Sequence, residues 1–219
     1  MNGDGRIVNN HIRSLIFDLD GTLYVSADLG RAITETACGY LADLKGISVS
    51  EAETLVARTR KALTERSGSA ATLSQACVEL GGDLRDLHHK FASELEPERF
   101  IRTDERVVEL IRLLAGGFEL FVYTNNNRRL AERIMKTIGV SGLFQRVFTI
   151  EETWKPKPDR ETLEFILREI GRKPEECLFV GDRYDVDLRL PADLGCAVCL
   201  VKSVEELFPL CKLLHEESL

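Results

Sequence analysis

The sequence predicts an α/β fold: a doubly wound parallel sheet with an inserted, all-helical segment. Three observations carry this. Short apolar runs ending in polar or glycine residues recur at 15–17, 119–123, 146–150, 177–180 and 197–201, as strands buried on both faces of a parallel sheet do. From residue 103 onward they alternate with helical patterns, the signature of crossover-linked parallel strands. Between the first two runs, residues 26–100 carry four helical patterns and no strand pattern. Such a block reads as a small helical bundle. The expected domains are therefore 1–25 with 101–219 as the sheet domain, and 26–100 as an inserted helical domain.

The elements follow in order. The polar, Gly/Asn-rich residues 1–13 precede a first strand at Leu15–Phe17. Ile33, Ala37, Tyr40, Leu41 and Leu44 mark a first helix that stops at Gly46. Ser50 with Glu53 has the spacing of a capping box and predicts the start of a second helix, which runs to the polar break Arg66-Ser67-Gly68-Ser69. A third helix carries Leu73, Ala76, Cys77 and Leu80, and a fourth carries Leu84, Leu87, Phe91 and Leu95, ending before Pro97. A helix over 103–115 leads into a strand at Glu119–Tyr123, the polar run Thr124-Asn125-Asn126-Asn127, and a helix to Ile138. A strand at 146–150, a helix at 159–170, a strand ending at Gly181-Asp182, a strand at 197–201 and a closing helix at 203–214 complete the chain.

Composition narrows the function classes. Over 219 residues, a net charge of −7 with 44% hydrophobic content describes a globular protein not built for nucleic acid or anionic lipid. No apolar stretch is long enough to span a bilayer, and no signal-peptide core is visible; a cytoplasmic location, as monomer or homodimer, is expected. The six cysteines read as reduced core residues. Cys196 and Cys199 form a CxxC, but on a strand they face opposite ways. His88 and His89 read as a solvated helix face, since adjacent helical residues share no face.

The chemistry starts at the end of the first strand. In an open parallel sheet the ligand crevice lies at the carboxyl ends of the strands. Asp18 and Asp20 stand there, two residues apart, and Gly21 lets the chain turn sharply. Two like charges so placed call for a cation, and for an all-oxygen site Mg²⁺ is the usual one. A carboxylate can attack a phosphoryl group, and a second can protonate the leaving oxygen.

Phe-Asp-Leu-Asp-Gly-Thr-Leu-Tyr (17–24) resembles the first motif of the haloacid dehalogenase (HAD) superfamily, and three further stretches match the family pattern in order. Thr124 follows a hydrophobic strand, as the second motif requires; Lys155 opens a KPxP string like the third, with Lys157 as the competing lysine; Gly181-Asp182 followed by Asp185 and Asp187 is similar to the fourth. The resemblance runs from about Ser14 to about Val201. It implies a HAD-like, Rossmann-type core with Asp18 as nucleophile and Asp20 as acid and base. Asp18, the carbonyl of Asp20, and Asp182 would hold Mg²⁺. Gly21, Thr124, Asn125 and Lys155 would bind the phosphoryl group. Asp187, preferred over Asp185, would orient Lys155 or metal-bound water.

The helical insertion resembles the cap of the phosphoglycolate phosphatase, pyrimidine 5′-nucleotidase and β-phosphoglucomutase relatives. In such caps the loop between the second and third helices looks into the site, which makes Arg66 and Gly68 the expected specificity residues. The implied activity is hydrolysis of a small phosphorylated metabolite through an aspartyl phosphate. A phosphomutase is the alternative. A haloacid dehalogenase is disfavoured by Asp20 and Asp182, and a silent binding protein by the completeness of all four motifs.

Overall fold

In the computed structural model, residues 11–210 are described. The expected N-terminal tail through residue 10, Cys211, His215 and the end of the expected closing helix lie outside them. The sheet has five parallel strands: β1 (Ser14–Phe17), β2 (Glu119–Tyr123), β3 (Arg146–Phe148), β4 (Cys177–Gly181) and β5 (Ala197–Leu200), in the order β3-β2-β1-β4-β5. The order reverses between β1 and β4. That switch point is where ligands bind in doubly wound sheets, and β1 ends there in Asp18.

Period-two alternation assigns each strand residue to a face. Leu15, Phe17, Leu120, Val122, Leu178 and Val180 join one buried cluster, whereas Ile16, Phe121, Tyr123 and Phe179 join the other. Helices α5 (Glu105–Ala115) and α6 (Arg128–Thr137) pack on the first face through Val107, Ile111, Ala131 and Ile134. Helix α7 (Arg160–Glu169) covers the second through Leu163 and Ile166. Both faces are therefore dry, and the short strands are apolar throughout for that reason.

Four helices lie between β1 and α5: α1 (Ala27–Lys45), α2 (Val49–Ser67), α3 (Leu73–Glu79) and α4 (Leu84–Glu94). They bury Ala37, Cys38, Leu41, Ala52, Val56, Cys77, Leu87 and Phe91 among themselves and against the sheet domain. Helix α2 begins two residues earlier than expected. Ser48 and Glu51, not Ser50 and Glu53, form its capping box. The sequence offers both frames, and the left-handed Gly46 at the end of α1, with φ 66°, reverses the chain early enough for the first to be used.

Two further departures concern short elements. β3 stops at Phe148, and Ile150–Glu152 winds into a 3-10 turn. The expected closing helix starts as a 3-10 turn at Val204–Leu207. Cys38, Cys77, Cys177 and Cys196 are buried free thiols, and Cys199 is a half-buried one. No described helix is long and apolar enough to cross a membrane.

The helical segment is tied to the sheet domain by side chains. Asn127 caps α6 through Oδ1 and donates its Nδ2–H to the backbone carbonyl of His88 at 3.0 Å. Arg133 donates to the carbonyl of Leu95 at 2.6 Å, and Arg189 to Ser69 Oγ at 2.6 Å. Asn127 does two jobs that can be separated. Asn127→Ala removes both and should cost about 1.5–3 kcal/mol, the sum of a lost cap and a lost buried hydrogen bond. Asn127→Ser keeps an N-cap acceptor, so chemical denaturation should show a loss roughly half as large. Equal losses would mean that the cap contributes nothing.

Candidate active site

The strand ends deliver the site because the backbone ladders continue past them. Asp18 N–H donates to Val180 O at 2.8 Å, and Thr124 N–H to Phe148 O at 2.9 Å. Asp18, Thr124 and Asp182 thus follow directly on β1, β2 and β4. Two glycines allow the close packing. Gly21 has φ 86°, and a Cβ there would come within 2.6 Å of Asp182 Oδ2. A Cβ on Gly181 would come within 2.6 Å of Asp187 Cβ.

The lysine at the centre is Lys157. Its Nζ donates to Asp18 Oδ1 at 2.6 Å, to Asp187 Oδ1 at 2.7 Å and to the Tyr123 carbonyl at 3.0 Å, with the side chain 2% exposed. Its backbone N–H is held by Asn125 Oδ1 at 2.8 Å. Lys155, expected from the KPxP frame, instead lies at the surface and pairs with Glu161. A buried ammonium needs counter-charge on several sides, and only Lys157 finds it. Burial alone would lower the Lys157 pKa, but Asp18 and Asp187 outweigh it and hold the ammonium above its ordinary value.

The carboxylates differ through their surroundings. Burial pushes Asp18 up to about 7, against the pull of Lys157. Burial would raise Asp187 as well, but Lys157 and Arg183 prevail and hold it below the usual range. Asp187 Oδ2 also accepts the Arg183 N–H at 3.1 Å, whereas Asp18 Oδ2 accepts only the longer bond from the Thr22 hydroxyl, at 3.5 Å. Burial raises Asp20, against a hydrogen bond from Tyr24. The Tyr24 hydroxyl donates to one Asp20 oxygen and Asn126 Nδ2 to the other at 2.6 Å. Neither Tyr24 nor Asn126 was singled out from the sequence, although both lie within matched motifs.

Asp187 reaches Lys157 through a π-helical turn at Tyr184–Leu188 that continues into α8 (Arg189–Asp193). Such turns are frequent at functional sites. Asp185, on the same turn, faces away and pairs with Arg189. Thr124 is fully buried, and its hydroxyl oxygen accepts the Asn126 N–H at 3.1 Å.

The donor set suits a hard divalent cation. Carboxylate oxygens of Asp18, Asp182 and Asp187 lie within 4.8 Å of one another. Asp182 Oδ1 is buried and has no hydrogen-bond partner among the described residues. A buried carboxylate oxygen that accepts no hydrogen bond, has only the Arg183 guanidinium at 3.6 Å for a counter-charge and lies near other carboxylates is a pattern a Mg²⁺ site presents.

A cavity of about 410 Å³ adjoins this cluster at Asp182, lined by Asp20, Gly21, Asn125, Asp182 and Arg183 on one side and by His88 and Phe91 of α4 on the other. His88 is 2% exposed, so the expectation of a solvated His88-His89 face holds for His89 alone. Leu87 and Phe91 turn that side of α4 inward and carry His88 with them. Arg66 does not line this cavity. Its guanidinium pairs with Glu79 at 3.1 Å and borders a separate groove beside Trp154 and Lys155. Gly68 is the left-handed cap of α2, and the loop reaches the sheet domain through Ser69 instead.

The chain is similar to known proteins. Pyrophosphatase PpaX of Bacillus velezensis is 28% identical over 182 residues, covering 81% of this chain and 78% of its own. A phosphoglycolate phosphatase of Colwellia psychrerythraea is 28% identical over 174 residues, covering 77% and 75%. The crystal structure of a HAD phosphatase from Thermococcus onnurineus superposes with a TM-score of 0.60 at 18% identity, over 95% of this chain and all of that one. That likeness shows the fold. The sequence model of the haloacid dehalogenase-like hydrolases matches residues 12–195, a span that holds Asp18, Thr124, Lys157, Asp182 and Asp187, and the chain belongs to that family.

Proposed function

We propose that the chain is a Mg²⁺-dependent phosphatase of small phosphorylated metabolites, working through an aspartyl phosphate on Asp18. The observation that carries this is the placement of Asp18 on Lys157, beside an independently held Asp20. The relatives' names, a pyrophosphatase and a phosphoglycolate phosphatase, point to the same reaction class. Residues 26–100 would act as the cap that covers the site, and the rest as the catalytic domain.

In the first half-reaction an Asp18 oxygen attacks phosphorus and forms an acyl phosphate, while the ester P–O bond breaks. Asp20 gives its proton to the departing oxygen; its burial, which raises the carboxyl, favours holding that proton beforehand. In the second half-reaction water attacks phosphorus and gives its proton to Asp20. The Asp18–phosphorus bond breaks, orthophosphate leaves, and Asp18 returns to its carboxylate. Lys157 keeps Asp18 aimed and offsets its charge, and Asp187 keeps Lys157 in place. Thr124 and Asn125 would donate to the phosphoryl oxygens. Asp18, Asp182 and the Asp20 carbonyl would hold Mg²⁺, which when bound supplies positive charge to the transferring group.

Four results are expected. Asp18→Asn should reduce turnover of p-nitrophenyl phosphate by several orders of magnitude, as loss of a unit-acting group does; turnover within tenfold of wild type would sink the mechanism. Lys157→Met should cost about 10²–10³-fold in kcat, whereas Lys155→Met should stay within about twofold, because Lys155 only pairs with Glu161 at the surface. The reverse ranking would return the role to Lys155. Asp20→Asn should slow alkyl phosphates by roughly 10²–10⁴-fold and p-nitrophenyl phosphate much less, since that leaving group needs little protonation. Chelation of divalent cations should abolish turnover and added Mg²⁺ should restore it; activity that survives chelation would contradict the metal assignment.

A further inference from the structure

We propose that Tyr24 and Asn126 are the positioning residues of the acid: each holds one oxygen of Asp20, and together they aim the carboxyl at the departing oxygen of the substrate. This rests on the phosphatase reading, in which Asp20 gives and takes the proton. It adds the two side chains through which Asp20 does so.

A carboxyl on a side chain with two free torsions has to be aimed by its neighbours. Those of Asp20 come from two separate elements. The Tyr24 hydroxyl donates to Oδ1 from the same turn, and Asn126 Nδ2 donates to Oδ2 at 2.6 Å from the loop after β2. With both oxygens engaged, the carboxyl can neither rotate in place nor swing off its backbone without breaking a bond. Asp20, Tyr24 and Asn126 all line the cavity beside the acid cluster, so the held carboxyl faces the space a leaving group would enter.

Both donors are themselves fixed. Gly21, at φ 86°, donates its N–H to Tyr24 O at 2.9 Å, and Leu23 N–H donates to Leu19 O at 3.1 Å. This closed turn sends alternate side chains to different acids: Thr22 Oγ1 donates to Asp18 Oδ2 at 3.5 Å, and Tyr24 to Asp20. The Tyr24 ring is buried in the same cluster as Leu23 and Leu29, which anchors the hydroxyl. Asn126 is held through its backbone. Its N–H donates to Thr124 Oγ1 at 3.1 Å, and its carbonyl accepts the Ile150 N–H at 3.2 Å.

The two donors also differ in kind. An amide N–H only donates, so the oxygen facing Asn126 is kept as an acceptor. A hydroxyl donates or accepts, so Tyr24 can serve its oxygen with or without a proton there. In the first half-reaction the proton on the Tyr24 side of Asp20 passes to the ester oxygen as the P–O bond breaks. The Tyr24 hydroxyl then donates to the carboxylate left behind. In the second, the proton from water returns to that oxygen, and Tyr24 keeps its own throughout.

The test uses the full chain with Mg²⁺ and phenyl, p-chlorophenyl, p-cyanophenyl and p-nitrophenyl phosphates. These share a ring and differ in how far the departing oxygen needs a proton. Because kcat/KM covers the steps through the first departure, its dependence on the leaving group reads the acid. In Tyr24→Phe, which deletes one oxygen and keeps the ring, and in Asn126→Ala, the phenyl to p-nitrophenyl ratio of kcat/KM should fall by about tenfold or more, as for a displaced catalytic group. In an Asp20→Asn background neither change should lower the ratio further. A ratio within about twofold of wild type in a folded variant removes that residue from the role, since differences of that size are what independent sites show. An equal loss for all four esters assigns the bonds to stability alone and overturns the proposal. So does a further fall of the ratio in the Asp20→Asn background, because the two residues would then act elsewhere. If Asp20→Asn alone keeps the wild-type ratio, the acid assignment falls and this proposal with it. Absence of p-nitrophenyl phosphate hydrolysis in wild type overturns the phosphatase reading as well. Thermal melting checks the fold, and if one variant does not fold the other decides.

Discussion

The buried ammonium of Lys157 is the constraint on which the rest of the site depends. It sits between Asp18 and Asp187 with almost no exposure, and such a charge is stable only while all its partners are in place. Its partners come from two strand ends, those of β1 and β2, and a π-helical turn, so the sheet order, the tight packing at Gly21 and Gly181, and the turn at Tyr184–Leu188 all serve the same few ångströms. Removing one partner would strand a charge in a dry interior, at a cost of about 3–5 kcal/mol. Stability and the proposed chemistry are therefore coupled here: the lysine that would steady the nucleophile also fastens the ends of β1 and β2 to the turn after β4.

The two acids of the first motif stand two residues apart in different surroundings. Asp18 points at a lysine and Asp20 at neutral donors, Tyr24 and Asn126. Burial raises both, but a cation opposes it at Asp18 and hydrogen bonds oppose it at Asp20. A nucleophile is best kept ionised beside a positive charge, while an acid is best kept where its proton is not repelled. The helical segment lines the other side of the cavity, and its polarity differs from that of the floor. The floor is charged, and the roof is apolar with neutral polar groups.

Much of this was legible in the sequence because it depends on order and on strand ends. Apolar runs closed by Asp18, Thr124 and Asp182 implied a parallel sheet with its acids on one edge, and the sheet has that form. What was not legible depends on rotations within a few residues. Lys155 and Lys157 are two apart in a proline-rich stretch, and the composition around them does not say which one turns inward; the anchor on Lys157 N–H comes from Asn125, thirty-two positions away. Ser48 and Ser50 offered equivalent capping frames. The burial of His88 depends on how α4 is rotated against α6 and Trp154, and its apolar neighbours Leu87 and Phe91 were the available hint. Arg66 looked like a specificity residue by its place in a loop, but a nearby acid, Glu79, claims it.

The central claim is that Asp18 is phosphorylated during turnover with Lys157 holding it. The most direct measurement is rapid acid quenching of the enzyme during turnover of p-nitrophenyl phosphate, followed by peptide mass spectrometry, with Asp20→Asn included to slow hydrolysis of the intermediate. One phosphoryl group should be found on the peptide that contains residue 18, with fragmentation placing it on Asp18. A phosphoryl group on another residue, or none on a variant that still releases p-nitrophenol in an initial burst, would contradict the account.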